Sequence, residues 1–330
     1  MNVCLIGVSG HYGYALGGIS ADGNCEVAGV APGSPEEDLT PLVNRLRSQG
    51  RNPVCFDDYR RMLEELRPDV AVVNCHFADH ARVGIEVLKS GCHLFIEKPV
   101  AVTEEQLKAL RQAYLESGRH LAAMHGLRYH PAFYTAWKAV RNGAVGEIRL
   151  IHAQKSYRLG SRPDFYRKRE RYGGTIPWVG SHAIDWIRWF SGKTFDSVYA
   201  SHSKRFNREH GDLEVSALCH FVLEDEVFAS ASIDYLRPEQ APSHGDDRIR
   251  VAGSDGILEV RDGKVWLINQ ESDGVRELPL EHPGNIFADF LGQIRGEKRC
   301  LVSAEDSFYV TEICLKARES ADRRIPVRIS

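Results

Sequence analysis

Short, fully apolar runs alternate with amphipathic stretches through the first third of the chain. NVCLIGV precedes a helical pattern over residues 11–20, the apolar EVAGVA comes next, an amphipathic stretch covers 58–66, DVAVVN leads into 79–90, and CHLFIEK into 103–117. Strands that are apolar at every position need cover on both faces, so this alternation predicts a parallel, doubly wound sheet flanked by helices. After about residue 123 the pattern changes: EIRLIHAQKSY, EVSALCHFVL, EVFASASIDY, DRIRVAG, GILEV and KVWLI alternate in polarity and follow one another directly. The pairs Glu224-Asp225, Asp255-Gly256 and Asp262-Gly263 have the chemistry of hairpin turns. The second part therefore reads as a largely antiparallel sheet, with helices at 132–142, 182–190, 285–295 and 304–321. The expected class is α/β, with a doubly wound domain at 1–123 and a second α/β domain, built on the antiparallel sheet, at 124–330.

Composition narrows this picture. At 330 residues the chain exceeds what a single core usually fills, and 43% hydrophobic content suffices for two. Forty-two basic residues against 45 acidic ones, without a sustained run of one sign, argue against a nucleic-acid partner. The eight cysteines form no C-x-x-C pair and several sit within apolar strands, as expected of reduced, buried thiols. The first residues enter a strand directly and no apolar run reaches transmembrane length, so a soluble, cytoplasmic protein without a membrane partner is expected.

The first candidate chemistry lies in GVSGHYG. Gly7, Gly10 and Gly13, with Ser9, His11 and Tyr12 between them, occupy the turn between the first strand and its helix. Glycines there let the backbone approach a pyrophosphate, which then meets the helix amino end. The spacing is G-x-x-G-x-x-G rather than the commoner G-x-G-x-x-G, so its place after the first strand carries the reading. Strand 2 ends in Ala31, Pro32, Gly33 and Ser34, without the acid that usually holds the ribose of NAD or an Arg for the 2′-phosphate of NADP. Glu36, Glu37 and Asp38 lean the choice toward NAD.

A strand ending in Glu97-Lys98-Pro99 delivers a lysine to the carboxyl edge of the sheet. It can polarise a substrate carbonyl there, or simply end a strand at the surface. With this segment, GCHLFIEKP, the chain resembles the Gfo/Idh/MocA oxidoreductase family over essentially its whole length. The glycine turn, CFDDYRRML, His80, GLRYHPAF, GAVGEIR and GG…GSHAID all fall in the family's order. The resemblance implies that 1–123 is a dinucleotide-binding Rossmann domain, that 124–330 binds substrate and forms homodimers or homotetramers through its open sheet, and that hydride passes between a nicotinamide and a sugar or polyol carbon. It further implies that Lys98, with Glu97 beside it, contacts both cofactor and reacting oxygen, that the Lys98-Pro99 bond is cis, and that the loop carrying Asn74, His76 and His80 lies over the cofactor. His76 and His80 also have the H-x-x-x-H spacing of zinc ligands, but no Glu at 77 and no third ligand accompany them, so no metal is expected.

The stretch GGTIPWVGSHAIDW, residues 173–186, supplies the second candidate group. Relatives such as inositol dehydrogenase carry an Asp four residues before the histidine and form their site from Asp, His and Lys. Here His182 holds the histidine position and Trp178 that of the Asp, where an indole cannot accept a proton. Ser181 reads as an N-cap, placing His182 at a helix amino end that favours neutral imidazole, suited to proton transfer. Asp185, Trp186 and Trp189 share its face. His182 is the expected acid/base, and Asp185 either orients it or sits near the cofactor amide, the alternative being a core histidine with a helix-start acid. Trp178 stacks on a sugar or locks the turn. Arg128, Tyr157 and Arg162 complete the candidate substrate contacts.

The expected function is thus an NAD(P)-dependent dehydrogenase or reductase of a sugar, cyclitol or sugar derivative. Trp178 keeps two alternatives open: a non-catalytic nucleotide or sugar sensor, since the family includes a regulator of galactose genes, and a reductase of an imine or linear tetrapyrrole.

Overall fold

The computed structural model describes residues 1–329. Its first part comprises β1 (Asn2–Ile6), α1 (Gly13–Asp22), β2 (Glu26–Ala31), α2 (Thr40–Ser48), β3 (Val54–Cys55), α3 (Tyr59–Leu66), β4 (Val70–Val73), α4 (His80–Lys89), β5 (His93–Ile96), α5 (Glu104–Ser117) and β6 (Leu121–Ala123). The strands pair in parallel in the order β3-β2-β1-β4-β5-β6. Val70–Val73 are all fully buried, as strands covered on both faces must be. The order reverses between β1 and β4, and the crevice at the carboxyl ends of those strands is where such sheets take their ligands.

The chain continues through α6 (Pro131–Arg141), β7 (Ile148–Arg158), α7 (Arg169–Tyr172), α8 (Ser181–Ser191), β8 (Phe195–Ser203), β9 (Ser216–Leu223), β10 (Val227–Arg237), β11 (Gly245–Gly253), β12 (Gly256–Arg261), β13 (Lys264–Asn269), β14 (Arg276–Glu277), α9 (Ile286–Ile294), α10 (Ala304–Arg323) and β15 (Val327–Arg328). Nine strands form one sheet in the order β14-β13-β12-β11-β7-β10-β9-β8-β15. Its pairs are antiparallel except β7 with β10, and hairpins close at the three expected turns. One face is buried; the other exposes Tyr199, Leu218, Phe228 and Leu236, which the strand registers place on the same side.

Two compact units result. One contains Met1–Gly126, Glu170–Gly173 and Gly284–Thr311; the other contains Leu127–Arg169, Gly174–Pro283 and Glu312–Ser330. Within the first, α9 packs on α1: the Asn285 side chain caps α9 by accepting from the Phe287 and Ala288 N–H groups, and it also lies against Gly18. Besides the short β3, β6, α7, β14 and β15, two longer elements escaped the sequence reading. α2 is a nine-residue helix opened by Pro41, and β8 is interrupted by serines that blur its alternation. All eight cysteines are free thiols; contrary to expectation Cys55 is exposed, because β3 is a two-residue edge strand too short to be covered. Among the described residues no helix is long and apolar enough to cross a membrane.

Candidate active site

The glycine turn of the first unit is shaped by two close approaches. Gly7 sits at φ +81, and a Cβ there would lie 2.6 Å from the Cys75 backbone. Gly10 sits at φ +117, where a Cβ would meet Glu97 Oε2 at 2.4 Å. No other residue type fits either position without movement. Ser9 N–H donates to the Asn74 carbonyl at 2.5 Å, tying the turn to the end of β4. α1 then starts at Gly13 with no acid in its first turn, so its amino-end N–H groups face no helix-borne carboxylate.

Glu97, at the end of β5, binds this turn. Its Oε2 accepts from the His11 backbone N–H at 2.5 Å and lies 2.7 Å from His11 Nδ1, while Oε1 accepts from the Lys98 N–H at 2.9 Å. Burial alone would raise the carboxyl, but the His11 charge and hydrogen bonds, with Lys98, hold it at about 2. Lys98 is only 1% exposed, and the Lys98-Pro99 bond is cis, as the resemblance implies. His80 is fully buried, with Nδ1 2.7 Å from the Pro99 carbonyl and Nε2 3.1 Å from that of Cys75. Both nitrogens thus face backbone carbonyls, leaving His80 to brace the Lys98-Pro99 turn rather than reach a ligand through its nitrogens. Burial pushes His80 below its ordinary value.

At the end of β2, Glu37 accepts from the N–H groups of Val8, Gly33 and Ser34 and from the Ser9 hydroxyl. Ser34 donates from Oγ to Asp79 at 2.6 Å and accepts from the His76 N–H, so its hydroxyl is engaged in the loop itself. Beside Glu37 lies a cavity of about 420 Å³ walled in part by Pro32, Val43 and Phe56. These features fit a dinucleotide: a glycine cradle, a recess in which Pro32, Val43 and Phe56 stand among polar and charged residues, and Asn74 Oδ1, a buried acceptor without a partner among the described residues. Tyr12 carries the Arg45 guanidinium 5.9 Å from its ring, and Gly13 makes no close approach. No group of three or more His, Cys, Asp or Glu positioned for a metal ion occurs among the described residues.

In the second unit, Thr175 anchors the GGTIPWVG segment by donating its N–H and hydroxyl to Glu214, which also pairs with Arg169. Residues Ile176–Gly180 form a π-helical turn that runs directly into α8. Ser181 is therefore a helical residue and not the expected N-cap; its Oγ donates to the Trp178 carbonyl at 2.9 Å. Since a turn of helix precedes it, His182 lacks the helix-end placement on which the dipole argument rested. His182 is buried, as are Asp185 and Arg128.

Asp185 and Arg128 form a buried ion pair. Arg128 Nε donates to both carboxylate oxygens at 3.1 Å and Nη2 to Oδ1 at 2.6 Å, with both side chains 2% exposed. Sequence reading nominated them separately and missed the pairing. The guanidinium also lies 5.5 Å from the Trp189 ring. Tyr157, Arg162 and Trp178 join one aromatic network: Arg162 sits 4.8 Å from the Tyr235 ring and 5.9 Å from Tyr166, Tyr157 neighbours Tyr235 at 6.3 Å, and Tyr166 meets Trp178 edge-on. Tyr235 and His244, which stacks on Tyr157 at 5.0 Å, escaped sequence reading because only strand register brings them there.

Comparison with known proteins completes the picture. A model described as "Oxidoreductase family, NAD-binding Rossmann fold" matches residues 1–125, and the GFO/IDH/MocA C-terminal domain matches residues 133–259. A Thermotoga maritima structure described only as an oxidoreductase is 52% identical, covers 100% of both chains and superposes with a TM-score of 0.97. Glycosyl hydrolase family 109 protein 2 of Akkermansia muciniphila is 28% identical over 163 residues, 48% of this chain and 34% of that protein. The D-glucoside 3-dehydrogenase of Escherichia coli is 28% identical over 159 residues, 48% of this chain and 45% of that protein. The match to these curated relatives thus spans a third to just under half of their length.

Proposed function

The chain belongs to the Gfo/Idh/MocA oxidoreductase family, and from that premise we propose that it interconverts a hydroxyl and a carbonyl on a sugar, cyclitol or sugar derivative. The observation that carries the reading is Lys98, a lysine buried at the carboxyl end of β5 and held through Glu97 against the glycine turn. When bound, the dinucleotide supplies the two-electron partner for the reacting carbon. Gly7, Ser9, Gly10, His11, Tyr12 and Gly13 cradle its phosphates, and Asn74 with the His76–His80 loop borders it. Glu37 supports NAD over NADP, because its carboxylate at the end of β2 opposes a 2′-phosphate.

Lys98 donates a hydrogen bond to the reacting oxygen and stabilises the negative charge that grows on it. His182 accepts the hydroxyl proton at a ring nitrogen during oxidation and returns it during reduction. Trp178, Tyr157 and Arg162 form an aromatic and cationic wall for the substrate, and the Arg128–Asp185 pair fixes the helix that carries His182. The apolar residues on the open sheet face, Tyr199, Leu218, Phe228 and Leu236, support assembly into a homodimer or homotetramer. The likeness to a named glycosyl hydrolase supports a second reading, cleavage of a glycoside at the same site.

The test is Lys98→Ala assayed with NAD against a panel of sugars, inositols and aryl glycosides. Turnover should fall by about 10²–10⁴-fold, with NAD affinity changed only a few-fold. Undiminished turnover overturns the assignment, and aglycone release without net nicotinamide reduction selects the glycosidase reading.

A further inference from the structure

A second group of charges lies wholly within the C-terminal unit and belongs to none of the residues discussed so far as catalytic. Lys155 on β7 and Asp247 on β11 face each other as direct register partners of an antiparallel pair. Their side chains meet at 2.5 Å, Nζ to Oδ2, with Lys155 2% and Asp247 22% exposed. They border a cavity of about 560 Å³, whose walls include Tyr157, Phe133 and His130.

This pair is incompletely satisfied. Asp247 Oδ1 is enclosed without a partner among the described residues. The Lys155 ammonium has three N–H donors; among the described residues it meets, beyond Asp247, only ring faces, Tyr157 at 4.5 Å and Trp186 at 5.6 Å. A buried ion pair contributes little net stability, and an unmet buried acceptor is destabilising. Folding therefore gives no reason to keep this arrangement, whereas ligand binding does. An acceptor beside a cluster of donors matches two adjacent hydroxyls on a ring, one donating to the carboxylate and the other accepting from the ammonium. The carboxylate meets the ligand with Oδ2, the oxygen that is not enclosed and that keeps a lone pair beyond the one on Lys155.

The lining also states what the ligand is not. Asp246 is shared between Arg248 at 2.7 Å and Arg237 at 3.4 Å, and Lys155 is held by Asp247, so each of these cations already has a carboxylate. A phosphate or carboxylate would have to displace one of these carboxylates to find a cation. Burial keeps His130 below its ordinary value, so it adds no cation near neutral pH. The rings of Phe133 and Tyr157 add apolar surface to the cavity wall, as a sugar pocket needs.

We infer that this cavity is a saccharide subsite in which Lys155 and Asp247 hold adjacent hydroxyls of a neutral sugar or cyclitol ring. The class of ligand rests on the sugar reading above. Calorimetry on the full chain with myo-inositol, methyl β-D-glucoside, cellobiose and inorganic phosphate tests it. At least one neutral probe should bind, phosphate should not compete, and the double variant Lys155→Met/Asp247→Leu should lose at least about tenfold in affinity, as expected for losing a charged hydrogen-bond pair. Removing both charges leaves neither stranded; a crystal of the wild-type protein soaked in the best probe serves should the variant misfold. Ring hydroxyls on Lys155 and Asp247 support the subsite. Unchanged affinity in the double variant, phosphate competition, or a bound sugar that leaves both residues untouched overturns it. A sugar that is turned over yet bypasses the pocket refutes the subsite alone. A sugar bound there but never turned over refutes the dehydrogenase reading alone.

Discussion

The two units build their candidate chemistry by opposite means. The first uses backbone: N–H groups, two glycines and a carboxylate that receives them, with Glu97 linking the turn to Lys98. The second uses long side chains buried in pairs, Arg128 with Asp185 and Lys155 with Asp247. Backbone cradles are rigid and cheap to desolvate because their donors are already spoken for or face a ligand. Buried side-chain pairs depend on each partner for the other's solvation, so the loss of one strands the other.

The largest effect should come from stranding such a charge. Arg128→Met leaves Asp185 buried without its guanidinium and should cost about 3–5 kcal/mol in urea unfolding. Arg128→Met/Asp185→Leu should recover most of that. A double variant as unstable as the single would mean that packing around α8, not charge, sets the cost. Next, Gly10→Ala places a methyl group 2.4 Å from Glu97 Oε2 at φ +117. The backbone strain and displaced carboxylate together should cost about 3 kcal/mol, and NAD affinity should fall with it. Full NAD affinity in this variant would break the link between the turn and Glu97.

This contrast also explains what could be read in advance. The glycine turn and Glu97-Lys98-Pro99 are contiguous, and each meets a local requirement of backbone shape, so their spacing announces them. The parallel and antiparallel sheets were legible because one needs apolar runs and the other alternation. Arg128 and Asp185 are 57 residues apart and Lys155 and Asp247 are 92, and only register and helix packing bring them together. Lys155 in particular reads as an ordinary polar position of an alternating strand. Ser181 was misread as a cap because no local pattern reveals that a π-helical turn already precedes it.

A pH experiment sharpens the backbone side. Glu97 titrates at about 2 against an ordinary 4.5. Its folded value is depressed, so its stabilisation is present above 4.5 and is lost as pH falls from there toward 2. The shift corresponds to about 3 kcal/mol at neutral pH, and part of it survives in Glu97→Gln through hydrogen bonds to the amide oxygen. The wild type should therefore exceed Glu97→Gln by about 2 kcal/mol at pH 7, and the two curves should converge as pH drops below 4.5. A gap independent of pH would mean that shape, not charge, holds the turn.

The smallest test compares two helix starts. α5 begins afresh: the Thr103 side chain accepts from the Gln106 N–H at 3.2 Å, so Thr103→Ala should cost about 1 kcal/mol and Thr103→Asp should restore it. Ser181 has a cap's sequence but a donor's role toward the Trp178 carbonyl. Ser181→Ala should therefore cost a similar amount, about 1 kcal/mol, yet Ser181→Asp should deepen the loss, because a carboxylate cannot donate and would be buried. Rescue of Ser181→Ala by Asp in thermal melts would show that Ser181 caps α8 with no helical turn before it, and with it that His182 sits at a true helix end whose dipole favours the neutral ring.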